Sequence, residues 1–280
     1  MYPALRILRI LVSVMVMLIT GTGILWLHDG IFARMQLIPA ILSGAAVWIA
    51  VWAVVTLIFG RIYCSTVCPL GTLQDCVSAL RRFSHPGWRY SYAPPMPRLR
   101  LAFMLTALVL MVTGWGVLPT VMDPYSSYAR IVGGLLGPLE SHIPGLGFTW
   151  ASFGIGAGIA LIVVALSFRG GRTLCNTICP VGSLLGMGAQ RALMHTEINP
   201  DKCIDCGRCV DLCKGRCIDL PARLVDNSRC VVCFDCMAVC PNDAITYRIG
   251  RHRLGMPQMQ LSSTSDNMQK NDTCNNTSHS

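Results

Sequence analysis

"GRIYCSTVCPLG" at residues 60–71 and "GRTLCNTICPVG" at residues 171–182 decide the fold. Each stretch follows a long apolar run and each carries Cys-x-x-x-Cys-Pro. Aligning residues 60–75 with 171–186 gives identities at Gly, Arg, Cys, Thr, Cys, Pro, Gly and Leu. Such matching at one place in each half of a chain points to a duplicated two-helix unit. Gly60 and Gly171 can end the apolar helices, and Arg61 and Arg172 can reach lipid headgroups. Pro69 and Pro180 stop or restart the helix. An approximate twofold axis between the halves would bring Cys64, Cys68, Cys175 and Cys179 together. Three readings of those thiols stand: buried small side chains, a redox dithiol pair, or a third metal site shared by the repeats.

Working outward, the 280-residue chain is 52% hydrophobic and 13% charged, which excludes an ordinary soluble domain. Four runs are long enough to cross a bilayer: residues 7–27, 40–60, 99–118 and 148–168. A cleaved signal peptide is the alternative for the first, but the run is long for one and no small-residue cleavage site follows. Arginines crowd the N-terminus, the loop between spans two and three, and the stretch after span four. The positive-inside rule therefore places both termini, and all the cluster cysteines discussed below, in the cytoplasm of a multi-pass inner-membrane protein. The net charge of +9 reads as anchoring at anionic lipid. It does not read as a nucleic-acid face, because the arginines cluster beside apolar runs.

Residues 197–250 are polar and cysteine-dense, and residues 251–280 form a polar tail with the composition of disorder. The chain thus divides into a membrane domain (1–196), a small domain (197–250) and the tail (251–280). "CIDCGRCVDLC" (203–213) and "CVVCFDCMAVCP" (230–241) both read C-x₂-C-x₂-C-x₃-C. In the bacterial two-cluster ferredoxin run the fourth cysteine ligates the other cluster. That assigns Cys203, Cys206, Cys209 and Cys240 to one [4Fe–4S] cluster, and Cys230, Cys233, Cys236 and Cys213 to a second. Zinc would use paired C-x₂-C knuckles instead of two complete runs of four. Lys214 stands where proline would follow the first run, and with Arg208 and Arg216 it should raise the reduction potential. Cys217 is the alternative crossed ligand, although the x₃ spacing favours Cys213. Cys76 and Cys274 receive no role.

Four spans, two C-x₃-C-P motifs and a C-terminal two-cluster module resemble the NapH group of membrane ferredoxin-type proteins, with the NosR, CcoG and methylamine-utilisation types as relatives. The resemblance covers about residues 5–250. It implies an α-helical membrane protein, with four transmembrane helices in two duplicated units and a ferredoxin-like 2[4Fe–4S] domain. It also implies quinol oxidation, as a quinol dehydrogenase component passing electrons to an iron–sulfur or cytochrome partner subunit. Quinol residues are weakly signalled: His28, Asp29, Asp123, Tyr125, Tyr128, Glu140 and His142 lie on the expected outer side. Two rival classes stand beside electron transfer. One is an assembly or metal-reducing factor for a respiratory enzyme, and the other a redox sensor built on the C-x₃-C-P thiols.

Overall fold

Apolar residues uninterrupted by proline satisfy their backbone hydrogen bonds internally, and the apolar runs accordingly fold as helices. The computed structural model describes residues 2–24, 35–113, 123–136 and 150–249. The first apolar run forms α1 (Tyr2–Thr22). The second is not one helix. It divides into α2 (Leu37–Leu42) and α3 (Ala46–Phe59), separated by a turn in which Gly44 has a φ of +69°. Helix α4 (Tyr63–Thr66) and α5 (Pro69–Ser84) carry the first Cys-Pro motif, and α6 (Pro97–Val112) the described part of the third run. Next come α7 (Pro124–Leu136) and the fourth apolar helix, α8 (Trp150–Gly170). The second motif lies on α9 (Thr173–Thr177) and α10 (Pro180–Ala189).

The chain is mostly helical. Among the described residues two stretches, Tyr2–Thr22 and Phe153–Gly170, are long and apolar enough to cross a membrane. At 1.5 Å per residue, the 14 residues of α3 reach about 21 Å, short of the roughly 30 Å of a hydrocarbon core.

The duplication is visible in three dimensions. Both copies run apolar helix, positive-φ glycine, short helix, extended cysteine, proline-led helix: Gly60 and Gly171 have φ of +71° and +65°. Cys68 and Cys179 both adopt extended backbone, with Pro69 and Pro180 opening the next helix. Proline suits that position because its missing N–H would be unpaired there anyway. The halves then exchange partners. The apolar helix α3 packs on α10, and its counterpart α8 packs on α5.

The cysteine-dense part of the chain opens on β1 (Met194–Ile198). It continues through α11 (Arg208–Leu212), β2 (Ile218–Asp219), β3 (Leu224–Val225), α12 (Asp235–Val239) and β4 (Ile245–Ile249). Strand β1 pairs antiparallel with β4, from Met194↔Ile249 to Ile198↔Ile245, and β2 pairs antiparallel with β3. The described residues all belong to one compact unit.

Candidate metal centre

Three thiol clusters occupy the compact unit. In the small domain, a cavity is lined by Cys203, Cys206, Cys209 and Cys240. A second is lined by Cys213, Cys217, Cys230, Cys233 and Cys236. Each cavity therefore draws its fourth or fifth sulfur across from the other run. The loops that make them share an unusual backbone. Asp205 and Val232, each two residues after the first cysteine of a run, have φ of +53° and +52°. Gly207 and Phe234, each directly after the second cysteine, have φ of +75° and +61°. Left-handed residues at alternate positions turn successive N–H groups inward, the arrangement that cradles an anionic group. A β-branched valine pays strain in that region, so its presence at the same step as Asp205 marks a site. The donor set, the cavities and the paired loops fit iron–sulfur clusters.

Cys217 is the residue that spacing left open. It is buried, its sulfur lies 3.6 Å from that of Cys213, and it lines the same cavity. The cavity thus holds both sulfurs the sequence offered. Lys214, expected with Arg208 and Arg216 to raise the reduction potential, is buried with Nζ 3.0 Å from Asp235 and 3.6 Å from Asp75. Its charge is largely cancelled by those carboxylates, which weakens the expected effect on potential.

The third cluster joins the two repeats. Cys64, Cys68, Cys175 and Cys179 are all buried, and Cys68 lies close enough to the other three for their ionisation to oppose its own. Burial pushes the Cys68 and Cys179 thiols up, and the Cys175 thiol to about 11. Without metal these are neutral thiols; a bound metal ion would deprotonate them. Among the described residues no three His, Cys, Asp or Glu side chains close around a single-ion position.

Arg61 and Arg172 do not reach headgroups. Both are fully buried, and each crosses to the opposite repeat. Arg61 Nη2 donates to the Cys175 carbonyl at 3.3 Å and to the Cys64 sulfur at 3.8 Å. Arg172 Nη1 donates to the Cys64 carbonyl. The crossing depends on the glycine of each Cys-Pro-x-Gly. A Cβ at Gly71 would stand 2.5 Å from the Cys64 oxygen and 3.0 Å from Arg172 Nη1. A Cβ at Gly182 would stand 2.2 Å from the Cys175 oxygen and 2.7 Å from Arg61 Nη2. The repeated glycine, noted only as an identity in the alignment, leaves space for the partner repeat's arginine.

Charge separates the two arginines. Arg172 forms a two-point pair with Asp75, Nε to Oδ1 at 2.9 Å and Nη2 to Oδ2 at 2.8 Å. Arg9 and Lys214 also pair with Asp75, and Arg6 pairs with Asp235 at 2.8 Å. Burial opposes ionisation of Asp75, yet Arg172 and Lys214 hold its carboxyl far below the usual carboxylate range. Arg61 instead donates to Asn176 Oδ1 at 2.8 Å and the Ser228 carbonyl at 3.0 Å. Among the described residues no carboxylate pairs with it.

The arginines also dock the small domain. Besides the Arg61–Ser228 bond, the Arg172 amide donates to the Lys214 carbonyl at 2.9 Å and Asn176 Nδ2 to the Gly215 carbonyl at 3.0 Å. Val231 belongs to the same buried cluster as Cys64, Cys68 and Cys179, with Cys233 packed against it.

A family model described as a 4Fe-4S binding domain matches residues 41–85 and again 153–194, once on each repeat. A second model of that description matches residues 196–219. The ferredoxin-type protein NapH of Escherichia coli (strain K12) is 26% identical over 216 residues, 73% of this chain and 67% of that one. The methylamine utilization ferredoxin-type protein MauN of Paracoccus denitrificans is 28% identical over 182 residues, 64% of this chain and 57% of that one. The chain resembles the NapH-type ferredoxin proteins in these matches. A protein named YccM from E. coli (strain K12) is 24% identical over 213 residues, and the match spans 55% of its length. No solved structure matches. The matched 4Fe-4S binding domains and the cysteine cavities together support iron–sulfur binding in this chain.

Of the outer-side residues singled out for quinol chemistry, His28, Asp29, Glu140 and His142 lie outside the described residues, as does Cys274. Asp123 is buried and caps α7, accepting from the Ser126 amide and hydroxyl at 2.8 Å each. The Tyr128 hydroxyl donates to the Met17 carbonyl at 3.1 Å and so ties α7 to α1. Asp123 is thus occupied in capping one helix and Tyr128 in joining two.

Proposed function

We propose that this chain is an integral inner-membrane electron-transfer protein that exchanges electrons between the quinone pool and a respiratory iron–sulfur or cytochrome partner. In this reading residues 1–196 form a four-span membrane domain, with the second span a broken helix. Such breaks are tolerated where neighbouring helices satisfy the freed backbone. Residues 197–250 carry two [4Fe–4S] clusters, held by Cys203, Cys206, Cys209 and Cys240 and by Cys230, Cys233, Cys236 and Cys213. Both termini and all cluster cysteines face the cytoplasm, and lipid and quinone are the remaining partners. Bound clusters supply one-electron exchange at potentials set by their surroundings.

The four-thiol chamber is a third metal centre in this account. The observation that carries it is Arg61, a fully buried cation whose hydrogen-bond partners are all neutral and which shares Ser228 with a second cation, Arg100. An isolated buried charge is strongly unfavourable. Four thiolates around iron carry net negative charge and would balance it. The order of the sites supports a wire from membrane to surface. The chamber touches the Cys233 side of the second cavity, whereas Cys206, in the first cavity, is exposed.

The test is iron and sulfide analysis of protein purified without oxygen, with Cys64, Cys68, Cys175 and Cys179 all changed to Ala. The proposal expects a loss of iron while the ferredoxin-type signals survive. Unchanged iron and sulfide would remove the third centre.

A further inference from the structure

A cavity of about 240 Å³ lies between α6 and α10, lined by Pro97, Arg100, Leu101, Met104, Ser183, Met187 and Gln190. None of these residues belongs to a thiol cluster or to the outer-side set. We infer that this cavity binds the headgroup of a membrane quinone or quinol, which places the site on the chamber side of the bundle instead of at Asp123, Tyr125 and Tyr128. The inference rests on the quinone reading above and gives it a location.

The cavity has the two characters such a ligand needs. Its mouth is apolar and open, with Leu101 50% and Met187 48% exposed, beside Leu184 at 45%. In a bilayer these side chains face lipid, so a long apolar tail can remain outside while a ring enters. The volume suits one substituted ring and no more. The floor is polar. Ser183 is buried at 4% exposure, lines the cavity, and its hydroxyl has no hydrogen-bond partner in the protein. A buried hydroxyl without a partner costs free energy until a ligand or water satisfies it. Arg100 reaches the same floor. Its Nη1 donates to Ser228 Oγ at 3.3 Å and its Nη2 to the Gly182 carbonyl at 3.4 Å. Both bonds are long, and a guanidinium has five donors. A cation and a hydroxyl together suit a quinone oxygen, which is neutral in the ketone form and more basic when reduced. Apolar pockets with a few convergent polar groups are the usual form of a small-molecule site.

The connection to the metal chamber is direct. The Gly182 amide donates to the Cys179 sulfur at 3.4 Å, and the Ser183 amide to the Cys179 carbonyl at 3.0 Å. The floor of the cavity is therefore built on the same segment that carries Cys179. Ser228, bonded to Arg100 through its hydroxyl, accepts from Arg61 through its carbonyl.

The experiment uses the full chain, with its clusters, in lipid nanodiscs. Binding of the fluorescent quinol analogue 2-heptyl-4-hydroxyquinoline N-oxide is titrated by quenching. Three variants are compared: Arg100→Leu removes the cation, Met187→Trp fills the exposed mouth, and Val109→Trp places equal bulk on α6 outside the cavity. Iron content and visible spectra identify any variant that fails to assemble. The expected result is wild-type binding that weakens by about tenfold or more in Arg100→Leu and Met187→Trp and is unchanged in Val109→Trp. If Arg100→Leu loses its clusters, Met187→Trp alone decides. Wild-type binding that is equally tight in assembled Met187→Trp would overturn the location and leave the quinone reading standing. No binding by the wild type would overturn both.

Discussion

Asp75 is the residue on which the charge balance turns. It gathers Arg9, Arg172 and Lys214, and its side chain is 12% exposed. Removing one partner of a buried ion pair costs about 3–5 kcal/mol, because the other charge is left unpaired. Asp75→Asn should therefore lower the unfolding temperature of the protein in detergent and release Arg172 from its two-point pair. An unfolding temperature equal to wild type would contradict the pairing. The pH dependence has a definite sign. Asp75 is held below its ordinary value, so its stabilisation is complete above about pH 4 and is lost only as pH falls towards the folded value. Burial opposes the charge on Lys214, but Asp75 and Asp235 hold it above its ordinary value. Its contribution is complete below about pH 10 and is lost as pH rises through the folded value. Neither group should make stability vary between pH 5 and 8, which thermal melts across that range can check. At the same scale, Gly182→Ala should disrupt the chamber by driving a methyl into the Cys175 carbonyl and Arg61. Gly158→Ala, where a Cβ meets nothing within 4 Å, should not. Iron retention in the two purified variants reads the difference.

At the scale of elements, the repeat was legible because its identities are local. A helix ending at glycine, a proline restarting the next helix and the crossed ferredoxin runs all follow from neighbours in sequence. The fate of Arg61 and Arg172 was not. Each meets its partners more than 90 residues away, across the other repeat. An arginine beside an apolar run reads equally as a lipid anchor or a buried crosslink. The break at Gly44 was hidden for another reason. Ser43 and Gly44 sit in a run apolar enough on average to conceal a turn, and the positive φ is a property of the fold. The quinone cavity had no sequence signal, since Arg100, Ser183 and Gln190 come from two separated helices. At this scale the account predicts that the helices reside in a bilayer. The chain should stay with membranes after alkaline carbonate extraction. A reporter active only outside the cytoplasm should be silent when fused after residue 250. Release into the supernatant would contradict the span assignment, and an active reporter the orientation.

For the molecule as a whole, the sites form a sequence in space. The cavity floored by Arg100 and Ser183 adjoins the Cys179 segment, and the four-thiol chamber adjoins Cys233. The second cysteine cavity shares crossed runs with the first, whose Cys206 reaches the surface. Arg61 and Arg172 link this sequence mechanically, each bonded both to the opposite repeat and to the small domain. Cluster assembly and the packing of the repeats should therefore be coupled. The most direct measurement of the central claim is electron paramagnetic resonance of the anaerobically purified full chain, poised at set potentials and then mixed with menaquinol or menaquinone. The account predicts that one of the two changes the redox state of the clusters. Cluster signals that stay the same with both would contradict it.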